Sequence, residues 1–175
     1  MISTRIIDDT EYPILYYTLS NLFEAVKMHT SYRALSIENG LDTYAITDDE
    51  KDFFDEHIKT AVMEVFKTFS RLSQDITDAV QFQEEDLSST STIDESACVV
   101  FIYEKATYWD NNVDDLFDKK VKRAIVLYIS KLWSKTKLLG NVNVLDEDDY
   151  EGTIKDIKGI INMRTTKPKI THRSF

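Results

Sequence analysis

The side chains able to do chemistry are few and scattered along this 175-residue chain. Its histidines, His29, His57 and His172, lie far apart, and the H-x-x-x-H spacing that sets two metal ligands on one helix face is absent. His57 stands in "DEHIKTAVME", where His57, Ala61 and Glu64 offer one strong ligand position, which predicts a surface or half-buried helix histidine. The acids of "DEDDYEG", residues 146–152, fail the calcium-loop order because Tyr150 and Glu151 occupy its fifth and sixth positions. They read as helix-start charge, with Asp146 as the cap. The serines of "LSSTSTIDES" have no G-x-S-x-G turn around them. Cys98, the single cysteine, sits in "ACVVFIY" and reads as a buried, inert thiol. Only four glycines occur, and no two lie close enough to cradle a phosphate. No catalytic, cofactor-binding or metal constellation emerges, and a non-enzyme without a cofactor is the expectation.

Charge is more informative. The chain carries a formal charge of -10. Yet its last thirteen residues, "MRTTKPKITHRSF" (163–175), hold Arg164, Lys167, Lys169 and Arg173 and no acid, so residues 1–162 sum to -14, with 17 basic against 31 acidic side chains. The overall sign argues against a sequence-reading nucleic-acid binder, which needs a concentrated positive face. A second basic run, Lys119, Lys120, Lys122 and Arg123, lies in a helical stretch. It reads as a solvated or subunit-facing surface that pairs with acids elsewhere on this acidic chain.

The elements that must position these groups follow from periodicity. With 42% hydrophobic and 30% charged residues, the chain can bury a core, and its length suits one domain. Nothing resembles a signal peptide or a spanning helix, so synthesis inside the cell is expected. Residues 13–29 read as a first helix opened by Pro13, and 30–46 as a loop with a turn at Asn39–Gly40. Thr47 and Glu50 form a capping box. Behind them Phe54, Ile58, Ala61, Val65, Phe69 and Leu72 recur at helical steps, giving a helix over about 48–74.

The period then changes: strands near 79–84 and 97–104 flank a polar tip and predict a β-hairpin. A lone hairpin is marginal in water, so it must pack on the helices or pair with a neighbouring chain. A third helix spans 113–139, capped by Asn111 or Asn112 and stopped at Gly140, and its middle is apolar nearly all round. A fourth runs over about 147–162, weakened by Gly152 and Gly159. The fold class is therefore mainly α: a bundle of three to four helices in a single domain, 1–162. A β-hairpin is inserted at about 79–104, and residues 163–175 form an extended basic C-terminal arm.

"TDDEKDFFDEHIKTAVMEVFKTF" followed by "VKRAIVLYISKLWSKTK" resembles the two-helix core of the head-to-tail connector (adaptor) proteins of tailed bacteriophages. There an acid-opened helix precedes an apolar one ending in an aromatic and charged residues. The resemblance covers roughly residues 47–139 and rests mostly on helix periodicity. The low glycine content, with many Tyr, Asn, Lys, Asp and Ile, is similar to phages of AT-rich hosts and points to the ring proteins of crAss-like phages. The chain departs from the family in its longer hairpin and its added N-terminal helix. The resemblance implies a structural virion protein at the head–tail junction, assembled in the host cytoplasm. It would form a homo-oligomeric ring of about twelve subunits. Such a ring docks on the portal protein, meets downstream tail or ring proteins, and continues the DNA channel for genome ejection without sequence-specific binding or any membrane.

Two surfaces are expected to carry that role. In the arm, Arg164, Lys167, Pro168, Lys169 and Ile170, with His172, Arg173 and Phe175, are the partner-binding candidates. Fixing each arm residue costs about 1–2 kcal/mol of backbone entropy, and burying Ile170 or Phe175 returns only about 1.5–3 kcal/mol apiece, so an ordered arm needs a partner. Subunit-interface candidates are Phe82, Val100 and Ile102 on the hairpin, and Lys119, Lys122, Arg123 and Trp133 on the third helix. The alternative is a non-catalytic interaction or scaffold module that binds an acidic partner through the basic tail.

Overall fold

The computed structural model describes residues 3–7, 10–37, 44–83, 98–104, 113–137 and 140–165. In chain order these form strands β1 (Ser3–Ile7) and β2 (Thr10–Thr18), helix α1 (Leu19–Ala34) and helix α2 (Lys51–Lys67). Strands β3 (Val80–Gln83) and β4 (Cys98–Ile102) follow, then helices α3 (Asp114–Thr136) and α4 (Gly140–Thr165). Single turns of 3-10 helix, Asp48–Glu50 and Ser70–Ser73, flank α2. The architecture is mainly helical with a small antiparallel sheet, the class expected from the periodicity.

The helix that is apolar nearly all round lies at the centre. On α3, Phe117, Val121, Ala124, Ile125, Leu127 and Ile129 are fully buried, and α1, α2 and α4 each pack against it. Phe53 in the first turn of α2 meets Trp133 near the end of α3, with ring centroids 4.9 Å apart. Phe69, just past the end of α2, meets Phe117 near the start of α3 at 5.4 Å. The two helices therefore run antiparallel. Thr47 and Glu50 form the expected capping box, but the α-helix ends at Lys67 instead of reaching residue 74.

The hairpin of β3 and β4 forms as predicted, and its tip lies outside the described residues. It is half of a four-stranded antiparallel sheet of order β1-β2-β4-β3, whose other half the sequence reading missed. Residues 10–18 are not helix. "TEYPILYYT" is rich in β-branched and aromatic residues, which fit a pleated surface, and it pairs with β1 on one side and β4 on the other. Pro13 is tolerated because it lies one residue beyond the last β2–β4 pair, Ile14↔Ile102. There its carbonyl accepts from the Tyr103 N–H at 3.2 Å, so the β2–β4 ladder ends at the residue that has no donor to return. The helix starts only after Thr18, whose hydroxyl caps it by accepting from the Asn21 N–H at 3.2 Å. It continues through Ala34, into the stretch expected to be loop; Asn39 and Gly40 lie outside the described residues.

One sheet face presents Leu15, Tyr17, Val99 and Phe101 to the main core. The other gathers Cys98, Val100 and Ile102 with Ile7, Tyr12, Ile14 and Ile76 in a second cluster. Two further boundaries differ from expectation. Val113 occupies the cap of α3 without a side-chain bond, and Asn111 and Asn112 lie outside the described residues. Gly140 does not end α3 but opens α4, which runs to Thr165. Asp146 is thus inside a helix and not its cap, and residues 163–165 are helical where an extended arm was expected.

Candidate functional site

Two regions on α1 concentrate charge. The first centres on Asp146, whose side chain is fully buried in α4. It accepts from Tyr44 Oη at 2.8 Å, from Arg33 Nε at 3.2 Å and from His29 Nε2, taken as the protonated nitrogen, at 3.3 Å. Arg33 also pairs with Asp149. Burial on its own would raise the Asp146 carboxyl, but hydrogen bonds from His29 and Tyr44 and the charges of His29 and Arg33 outweigh it and hold the group below the usual carboxylate range. Burial, then the Asp146 charge, pushes the Tyr44 phenol up. The segment carrying Tyr44 is fastened twice more. Trp133 Nε1 donates to the Tyr44 carbonyl at 2.5 Å, and the Ile46 N–H donates to the buried Thr30 hydroxyl at 3.0 Å. This centre joins α1, α3 and α4 to the connection before α2, and every charge in it is answered.

The second region begins one turn away. A groove of about 300 Å³ opens between α1 and α3. Ala25, Val126 and Leu127 make its apolar part, and Lys119, Lys122, Arg123 and His29 border it. Among the described residues none of Lys119, Lys122 and Arg123 forms an ion pair, whereas their neighbour Lys120 meets Asp156 at 2.5 Å. From Ala25 the α1 surface continues through Met28, Tyr32 and Leu35, at steps of three, four and three. Met28 and Tyr32 are each 73% exposed and Leu35 70%. Leu116, one turn before Lys119 on α3, is 46% exposed. These large apolar side chains thus stand in water in a row on one helix face.

An opposite charge stands on α2 and the 3-10 turn before it. Asp49, Asp52, Asp55 and Glu56 are exposed, and among the described residues their carboxylates have no cationic partner. Asp49 and Asp52 suit the helix dipole, an effect that fades beyond the first turn; Asp55 and Glu56 lie past it. Met63, further along the same helix, is 44% exposed.

The interface candidates separate. Val100 and Ile102 are buried at 3% and 0% exposure in the second cluster, and Trp133 is buried at 4% in the main core. These three serve the fold of their own chain and offer no surface to a neighbour. A strand or helix that is apolar on both faces reads alike in sequence whether the second cover is its own chain or another. Phe82 is half-buried, with the Lys59 ammonium 5.7 Å from its ring centroid. Lys119, Lys122 and Arg123 come together at the groove. Arg164 falls within α4, while Lys167, Pro168, Lys169, Ile170, His172, Arg173 and Phe175 lie outside the described residues. His57 is half-buried, with the Phe53 ring 4.4 Å away. The Met28–Tyr32–Leu35 row was missed although its helical spacing was visible, because the segment after residue 29 was read as loop.

Beside β2 a second hollow, of about 400 Å³, is bordered by Thr4, Tyr12, Pro13, Glu11 and Glu104. Among the described residues no group of three or more His, Cys, Asp or Glu side chains is placed to hold a metal ion, and no helix is long and apolar enough to cross a membrane. No protein-family model, curated protein or solved structure matches this chain.

Proposed function

We propose that this chain is a structural subunit of a phage head-to-tail connector ring, which docks on the portal and continues the DNA channel towards the tail. The observation that carries the reading is the α2–α3 pair. The two segments that resemble the connector core lie against each other antiparallel at the middle of the fold, with Phe53 on Trp133 and Phe69 on Phe117. The unfinished α1 face and the unanswered charges on α2 and α3 support a protein completed by its neighbours. A net-acidic ring repels a duplex and lets it slide, which suits a conduit better than a clamp. Mass photometry and negative-stain imaging of the full chain, alone and mixed with the portal protein of the same genome, test this. Closed rings of about twelve subunits, or a portal-bound assembly, are expected. A chain that stays monomeric in both samples overturns the reading.

A second reading rests on the charge contrast between the last thirteen residues and the acidic remainder. In it the chain is a scaffold module that grips an acidic partner through that basic end. Truncation after Thr165, where α4 stops, separates the two: loss of a non-portal partner by a chain still able to form rings favours the scaffold.

A further inference from the structure

We infer that the groove and apolar row on α1 and α3 receive the acidic face of α2 from a second copy of this chain. The inference rests on the ring reading and specifies its subunit contact. Three cations at the groove and three carboxylates on α2 are unanswered among the described residues, in a chain that pairs many of its other charges. They cannot answer each other within one molecule. Phe53, beside Asp52, packs on Trp133, ten residues from Arg123 along α3, which is about 15 Å at the helical rise.

A second copy removes that distance. Its Asp52 and Glu56, one turn apart on one face of α2, would meet Lys119 and Arg123. Its Met63, two turns further along, would lie towards Met28 and Tyr32. Complementary potentials steer and register such a contact, and the apolar row is the part whose burial drives it. Acids already paired within the chain are not available to this contact. On α4, Glu147 and Asp149 are already engaged by Lys131 and Arg33. Because groove and acidic face lie on different elements, each copy keeps one free when it uses the other. A head-to-tail contact of this kind closes into a ring where its rotation permits.

The test compares assembly of the full chain by sedimentation velocity and mass photometry, at low and high salt, with circular dichroism confirming the fold. Lys119→Glu with Arg123→Glu, all exposed positions, should weaken association by roughly tenfold or more, as should Asp52→Lys with Glu56→Lys. The chain carrying all four reversals should assemble again, because each reversed groove then meets a reversed α2. Tyr32→Ser should weaken assembly with little change in its salt dependence. If rings form but are indifferent to the reversals, this contact is wrong while the ring stands. If the quadruple variant is no better than the double ones, the two faces do not meet. If the groove variant instead loses salt-sensitive binding of a short fluorescent duplex while assembling normally, the surface belongs to nucleic acid and the inference fails.

Discussion

Within three turns of α1 the same kinds of charged group are used in opposite ways. Around Asp146 a carboxylate, a guanidinium, an imidazole and a phenol are drawn out of water and satisfy one another. At the groove next to it, exposed Lys119 and Arg123 and half-buried Lys122 stand beside apolar side chains. The difference follows from geometry. Asp146 is carried by α4 to a place that α1 and the Tyr44 segment both reach, so its desolvation is offset by several hydrogen bonds at once. Lys119, Lys122 and Arg123 border the groove between α1 and α3, where no acid among the described residues pairs with them. A charge centre that closes on itself holds a fold together; one that stays open is available to a partner.

The largest effect should come from opening the closed centre. Asp146→Ala leaves Arg33 and Tyr44 without their shared acceptor and should cost about 3–5 kcal/mol, read as a drop in the denaturant midpoint. A loss no greater than that of a surface substitution would erase the distinction between the two regions. The same group sets an acid limit. Its carboxyl titrates lower in the folded chain than in the unfolded one, so it contributes stability above its ordinary value near 3.9. That contribution falls away as pH drops through the lower, folded value. Asp146→Asn should therefore flatten the acid limb of a stability-against-pH curve, and an unchanged limb would place the acid sensitivity elsewhere.

Next in size is Trp133→Phe, which keeps most of the packing but removes the donor to the Tyr44 carbonyl. A buried acceptor left alone costs about 1–3 kcal/mol, measurable by thermal unfolding. Smaller still, and opposite in sign, are Gly152→Ala and Gly159→Ala. A Cβ at either position meets nothing within 4 Å, so each should stabilise by up to about 1 kcal/mol. Destabilisation would mean that this face of α4 is closed by something else in solution. The smallest effect belongs to the open region. Lys119→Glu and Arg123→Glu should leave the unfolding free energy of the single chain within about 0.5 kcal/mol. A larger loss would show the groove to be part of the fold after all.

The amphipathic helices were legible because their signals are local. Thr47 and Glu50 specify a helix start in four residues, and Phe54, Ile58, Ala61 and Val65 mark its buried face without reference to anything distant. The β3–β4 hairpin was legible for the same reason, a change of period on either side of a polar stretch. Residues 10–18 were misread because a proline before an apolar run suits a first helical turn and a strand end alike. Only the partners β1 and β4 decide between them, and β4 lies over eighty residues away in sequence. The "DEDDYEG" acids were read as helix-start charge, with Asp146 as the cap. The fold buries Asp146 and leaves Asp148 in water, a distinction set by which face of α4 meets α1.

By itself, then, the sequence determined a mainly helical chain with one helix apolar nearly all round, a hairpin, an acidic body and a basic end. Those properties depend on side-chain type and on spacings of two to four residues, which the backbone reads locally. The tertiary structure alone decided which charges are answered and which are not. Ion pairing depends on distance in space, and the groups concerned, His29 and Arg33 with Asp146, or Lys120 with Asp156, are brought together from opposite ends of the chain or from neighbouring helices. The burial of Val100, Ile102 and Trp133 and the exposure of Met28, Tyr32 and Leu35 were decided in the same way. An apolar side chain states that it will be covered, and only the packing of the chain shows whether the cover is its own.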